Sequence, residues 1–120
     1  MTPKEIAELI IQTLDGKKAE DMKLLRTTDV TVLADYFVIC TARSTTQIKT
    51  LADEVEAVLE AHGEQKLHRE GYRSGGWVLL DYGCVVVHLF MEEARKFYNL
   101  ERLWADAEEI DLSVLLGPGA

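Results

Sequence analysis

The sequence predicts an α/β (α+β) domain, a mixed sheet with flanking helices, and three observations predict it. Two stretches place apolar residues at helical spacing behind capping signals. One segment, Asp35 to Thr41, is apolar on both faces, as a strand buried in the middle of a sheet must be. The second half is mostly strand-like, with two apolar runs meeting at Tyr82-Gly83.

The first helix is expected over residues 3–15. Thr2 can cap it, Pro3 suits its first position, and Glu5 completes a capping box. Ile6, Leu9, Ile10 and Leu14 form its apolar stripe, and Gly16 supplies a stop. Residues 22–32 alternate loosely and turn towards β-formers late, so one or two short strands are expected there. The central strand Asp35 to Thr41 follows. Ser44-x-x-Gln47 then reads as a second capping box for a helix over 45–62. Ile48, Leu51, Ala52, Val55 and Leu59 make one stripe on it, closed by Gly63.

Gln65 to Arg69 is a further strand candidate, followed by a loop holding Gly71, Gly75 and Gly76. Trp77 to Asp81 and Cys84 to Phe90 flank a turn in which Gly83 can adopt positive φ. Period-two geometry puts Cys84, Val86, His88 and Phe90 on one face and Val85, Val87 and Leu89 on the other. Glu92 to Tyr98 reads as a helix. Successive helical residues point about 100° apart, so only one of Phe97 and Tyr98 can face inward, and Phe97 is assigned that place. From residue 106 acidic residues lead to Gly117-Pro118-Gly119, a stretch expected to trail along the surface. The chain thus divides into a domain, 1–107, and an acidic C-terminal tail, 108–120.

Hydrophobic types make up 48% and charged types 28% of the 120 residues, a globular composition. Lys and Arg number 13 against 21 Asp and Glu, a net charge of -8 spread over both halves. Such a surface repels phosphate backbones, so autonomous nucleic-acid binding is disfavoured and not expected, and it attracts a basic partner. The longest apolar run, Tyr36 to Cys40, is far shorter than the ~20 residues that span a bilayer. With no signal-type N-terminus either, no membrane role is expected and the cytoplasm is the expected compartment. Cys40 and Cys84 sit in Val/Ile-rich segments and read as reduced core thiols.

Catalytic and cofactor constellations are thin. His62 and His68 are six apart across a helix end, which matches no compact metal-ligand spacing, so no metal and no cofactor are expected. No G-x-S-x-G surrounds Ser44, which reads as a helix cap. Thr41-Ala42-Arg43-Ser44 lacks phosphate-cradling glycines and leaves only a weak anion site. The aromatics are more informative. Trp77, Tyr82, Phe90, Phe97, Tyr98 and Trp104 crowd together with Glu92, Glu93, Arg95 and Glu101, a mixture typical of protein-interface anchors.

The string Glu70-Gly71-Tyr72-Arg73-Ser74-Gly75-Gly76-Trp77-Val78-Leu79-Leu80-Asp81-Tyr82-Gly83 closely resembles the ribosomal silencing factor (Iojap) family. Val85 to Phe90, Glu92 to Trp104, Ala34 to Thr41 and Ala52 to Val55 continue the resemblance, which spans about residues 4–107. It implies a nucleotidyltransferase-like fold without catalysis. It further implies docking on the large ribosomal subunit through ribosomal protein fourteen, where occupancy prevents small-subunit joining and represses translation. Two departures stand out: Thr41-Ala42-Arg43-Ser44 replaces the family's Thr-Gly-Thr-Ser, and Cys84 replaces an Asp after Tyr-Gly. Both weaken any nucleotide or metal site.

The docking face is accordingly expected to comprise Trp77, Tyr82 and His88 from the hairpin and Glu93, Arg95, Tyr98 and Glu101 beyond it. Glu93 and Glu101 would meet Lys and Arg of the partner while Trp77 fills a pocket. Two other classes compete. A large-subunit assembly factor would use the same surface. A nucleotidyltransferase would need closely spaced carboxylates on a strand, whereas Asp53, Glu54 and Glu56 fall on a helix and Asp81 stands alone. Exposed aromatics and open sheet edges also make a homodimer an expectation for the free chain.

Overall fold

The computed structural model describes residues 1–73 and 76–117. Ser74 and Gly75 of the glycine loop, and Pro118 and Gly119 of the tail, lie outside the described residues. The first helix, α1 (Pro3–Gly16), opens on the expected reciprocal cap. Thr2 Oγ1 accepts the Glu5 backbone N–H at 3.1 Å, and Glu5 Oε1 accepts that of Thr2 at 2.8 Å. Its stop differs from expectation. Gly16 stays helical, and Lys18 takes the left-handed conformation at φ 63°. The Lys18 and Ala19 N–H groups close back on Asp15 and Leu14 carbonyls at 3.0 Å each. The reversal falls two residues later because these carbonyls, not the glycine, are the acceptors left open at the helix end.

Strand β1 (Glu20–Arg26) leads through a turn to β2 (Tyr36–Ala42). Helix α2 (Thr45–Ala61) begins where Ser44 Oγ accepts the Gln47 N–H at 3.0 Å. The second capping box is not closed as expected. Gln47 Oε1 accepts the Arg43 N–H at 2.6 Å, and its amide nitrogen donates to the Lys18 carbonyl at 3.3 Å. The carboxamide therefore ties α2 to the end of α1. Gly63, at φ 84°, terminates α2 as anticipated.

Next come β3 (His68–Glu70), β4 (Trp77–Asp81) and β5 (Val85–Met91), then α3 (Glu92–Tyr98) and α4 (Leu100–Leu103). Among the described residues the strands make a six-stranded mixed sheet in the order β3-β4-β5-β2-β1, completed by β6 (Glu108–Glu109). β2 and β5 are central and parallel, with Ile39 opposite His88, and every other pairing is antiparallel. In the β4–β5 turn Gly83 has φ 81° and donates to Asp81 Oδ1 at 2.7 Å.

Residues 108–116 do not trail along the surface. Glu108 and Glu109 pair with Arg26 and Leu25, and the Ile110 N–H donates to the Leu24 carbonyl at 2.8 Å. Ile110, Leu112, Leu115 and Leu116 then pack on the core, the last two from the short α5 (Ser113–Leu116). Open hydrogen-bonding groups on the β1 edge and four apolar side chains outweigh the acidic composition that suggested a solvated tail.

The sheet's two faces are covered unequally. α1 and α2 lie over one, burying Ile6, Ile10, Ile11, Leu14, Leu51, Val55 and Leu59 against Val38, Val85, Val87 and Leu89. α3, α4 and the turn after them reach the other, where Leu25, Phe37, Ile39 and Phe90 form a smaller core. Along β5 the alternation holds from Val85 on, with Val86, His88 and Phe90 opposite Val85, Val87 and Leu89. Cys84, expected beside Val86, packs instead towards the side chains under α1 and α2, because it lies in the turn before the strand begins.

Candidate partner-binding surface

On the less covered face, β4 presents Trp77 and Leu79, and the register sets Trp77 beside Phe90 and Leu79 beside His88. The Trp77 ring stacks on Phe90 with centroids 5.1 Å apart and meets Tyr98 of α3 at 4.5 Å. Its indole Nε1–H donates to His88 Nδ1 at 3.2 Å. Phe97 meets Tyr98 edge-on at 5.1 Å and is 81% exposed. The outcome is a ladder of rings running from the buried His88 and Phe90, through half-buried Trp77, to exposed Tyr98 and Phe97.

Gly71 packs tightly against the start of β4. It has φ 78°, and a Cβ there would collide with the Trp77 carbonyl oxygen, so no side chain fits. Tyr72 next to it donates its hydroxyl to Asp53 Oδ2 at 3.0 Å and lies under the Arg69 guanidinium at 4.1 Å. These contacts tie Arg69 and Tyr72 to α2.

Of the seven residues expected on one docking face, the structure brings together Trp77, His88 and Tyr98. Glu93 is exposed and lines the cleft that also contains Gly76, the residue before Trp77. His88 lies beneath this surface rather than on it, 5% exposed, and burial pushes its imidazole down to about 4. It is therefore neutral near pH 7, and because Nδ1 accepts the indole proton its own proton sits on Nε2. Arg95 is also internal. Its Nη1 donates to the Asp21 carbonyl at 2.6 Å and to Thr41 Oγ1 at 2.8 Å, and its Nε donates to Glu101 Oε1 at 3.3 Å. Arg95 and Glu101 thus clasp α3 and α4 to the sheet ends.

Tyr82 is not part of this face. It is buried among the side chains under α2, and burial, followed by the charges of Glu56 and Glu60, pushes its phenol up to about 12. The hairpin turn directs it there. Phe97 and Tyr98 exchange the places expected of them. Ala94 and Arg95 face the sheet, and Tyr98 follows them at i+4 and i+3, whereas Phe97 falls off that stripe. Leu79 was missed, although strand period two from Trp77 would have found it. Phe97 carried no signal separate from Tyr98.

Elsewhere, Arg43 pairs with Glu20 at 3.1 Å, which takes up the cation of the weak anion site. Cys40 is fully buried and pushed up to about 12 by desolvation, while Cys84 is half-buried rather than a core thiol; both are free. Among the described residues, no group of three or more His, Cys, Asp or Glu could hold a metal ion, and no helix is long and apolar enough to cross a membrane.

Comparison with known proteins returns one consistent answer. The family model described as ribosomal silencing factor during starvation matches residues 1–118. A ribosomal silencing factor of Bacillus subtilis is 39% identical over 112 residues, covering 93% of this chain and 95% of that one. The chloroplastic Iojap protein of Zea mays is 34% identical over 95 residues, 79% of this chain and 41% of the longer relative. A crystal structure of a Chromobacterium violaceum protein superposes with a TM-score of 0.85 at 37% identity, covering 88% of each chain.

Proposed function

The chain belongs to the ribosomal silencing factor family, and on that premise we propose that it docks on the large ribosomal subunit and keeps the small subunit from joining, so repressing translation. The partner in this reading is ribosomal protein fourteen of the large subunit. The observation that carries it is the graded aromatic surface, Trp77, Tyr98 and Phe97, with Glu93 beside it, on a chain of net charge -8. Half-buried rings held by their neighbours lose little freedom on docking and bury large apolar area, as interface hot spots do. The acidic field speeds encounter with a basic protein and opposes direct contact with ribosomal RNA.

Such a role needs footprint and bulk, not turnover. A standard interface buries about 800 Å² per partner, which one face of a domain this size can supply. No catalysis is proposed: incubation with nucleoside triphosphates and magnesium is expected to release no pyrophosphate.

The test is subunit joining. Purified large and small subunits mixed with this protein should give fewer joined ribosomes on a density gradient, and the Trp77→Ala/Phe97→Ala variant should restore joining. Full joining in the presence of saturating wild-type protein would refute the proposal. Deletion that accumulates large-subunit precursors while joining is unaffected would favour the assembly reading. The proposal includes a homodimer in the free state, for which β3, an exposed edge strand paired only with β4 among the described residues, offers a free edge. Sedimentation at micromolar concentration giving only 13.5 kDa would refute that part.

A further inference from the structure

We propose that His88 is a positioning residue for docking: it holds the Trp77 indole by its N–H and so determines that the partner meets only the ring's hydrocarbon surface. The inference rests on the docking reading above and adds the chemistry that the partner must offer.

The geometry is specific. His88 lies on β5 beneath Trp77, and its Nδ1 accepts the indole proton at 3.2 Å. The ring centroids are 5.9 Å apart with planes tilted by 35°. Phe90 lies under the indole at 5.1 Å and Tyr98 against it at 4.5 Å, so ring contacts fix its height while the hydrogen bond fixes its rotation. An exposed tryptophan usually offers its N–H to solvent or to a partner's carbonyl. Here that donor points inward to a side chain that is itself 5% exposed.

The placement of a histidine at this point calls for an explanation. Its Nε2 is buried and, among the described residues, has no hydrogen-bond partner, while Phe37 meets the ring edge-on at 5.1 Å. A leucine or phenylalanine would fill the same space between Ile39 and Leu79 without a buried polar group. What the aliphatic residue would lack is the acceptor for the indole. The polar atom facing Trp77 is therefore the function that the histidine supplies.

A consequence for the partner follows. With its N–H turned inward to His88, the Trp77 indole itself offers no hydrogen-bond donor to a partner, so a carbonyl or carboxylate gains nothing from that ring. The matching group is an aliphatic side chain or a guanidinium lying flat over the ring.

The experiment uses the intact chain and purified large ribosomal subunits. His88→Leu should keep or raise the melting temperature, speed hydrogen exchange at the Trp77 indole N–H in ¹⁵N-resolved spectra, and weaken subunit binding about tenfold, the size of one hydrogen bond. His88→Asn, whose carboxamide oxygen falls where Nδ1 sits, should restore slow exchange and most of the affinity. In a Trp77→Phe background there is no N–H to hold, so adding His88→Leu should change binding no further. Wild-type binding by His88→Leu, or an equal loss in the Trp77→Phe background, would overturn the inference. So would fast indole exchange in the wild-type chain, a result that does not depend on any variant folding. Normal subunit binding by Trp77→Ala would instead overturn the docking face itself, and this inference with it.

Discussion

The two faces of the sheet are built from different side chains under different cover. Beneath α1 and α2, helices of 14 and 17 residues, the contacts are almost all aliphatic, and Ile10, Ile11, Leu14, Leu51 and Val55 have no exposed surface. Beneath α3 and α4, of 7 and 4 residues, the rings of Phe37, Phe90, Trp77 and Trp104 share the contacts with aliphatic side chains, and neither helix has a buried residue of its own. Long helices can seal a face; two short ones cannot. Rings that bridge from core to solvent, as Trp77 and Tyr98 do, belong to both regions at once. The sealed face carries most of the buried aliphatic core, and the ring face is where docking is proposed.

The largest effect expected from breaking this division is on the sealed face. Leu51→Ala, at a fully buried position of α2, should cost about 3 kcal/mol in denaturant unfolding, through lost burial and the cavity left behind. The fraction that remains folded should bind large subunits normally. Weak binding by fully folded protein would show that the two faces are coupled.

Next comes pH, which reads the ring face. His88 sits at about 4 when folded, against about 6.5 in an unfolded chain. Between those values the unfolded chain takes up a proton that the folded chain refuses, so stability rises with pH across this window. The contribution is complete above about pH 6.5 and is lost as pH falls to about 4, on the order of 3 kcal/mol in all. Urea midpoints measured at both ends of the window should show this slope in the wild type and a shallower one in His88→Leu. Parallel slopes would place the acid sensitivity elsewhere.

Phe97→Ala separates the faces from the other direction. The ring is 81% exposed, so unfolding free energy should stay within about 0.5 kcal/mol of wild type. Loss of binding to large subunits should reach about 1–2 kcal/mol, a substantial interface contribution. Trp77→Ala should cost about 2 kcal/mol in binding but also some stability, because its ring covers Phe90 and satisfies His88. Calorimetry alongside binding distinguishes the two variants. The smallest effect is expected of Glu93→Lys, an exposed charge reversal: a slower association that is clearest at low salt and fades as ionic strength rises.

What the sequence determined by itself was whatever its near neighbours decide. The Thr2–Glu5 cap, the Ser44 cap, the turn at Gly83 and the alternation along β5 all depend on residues within a few positions. Those features were legible, and so was the family, because its longest matching strings run through the hairpin and α3. Tertiary structure decided the rest. Arg95 became an internal clasp because its acceptors, the Asp21 carbonyl and Thr41 hydroxyl, lie 74 and 54 residues away. Glu108 and Glu109 became an edge strand because β1 left hydrogen-bonding groups open there. Tyr98 rather than Phe97 faces Trp77 because α3 follows β5 without a loop, so the end of that strand sets the helix's rotation. Hydrophobic periodicity reveals that a surface is buried, but the partner that buries it is chosen in three dimensions.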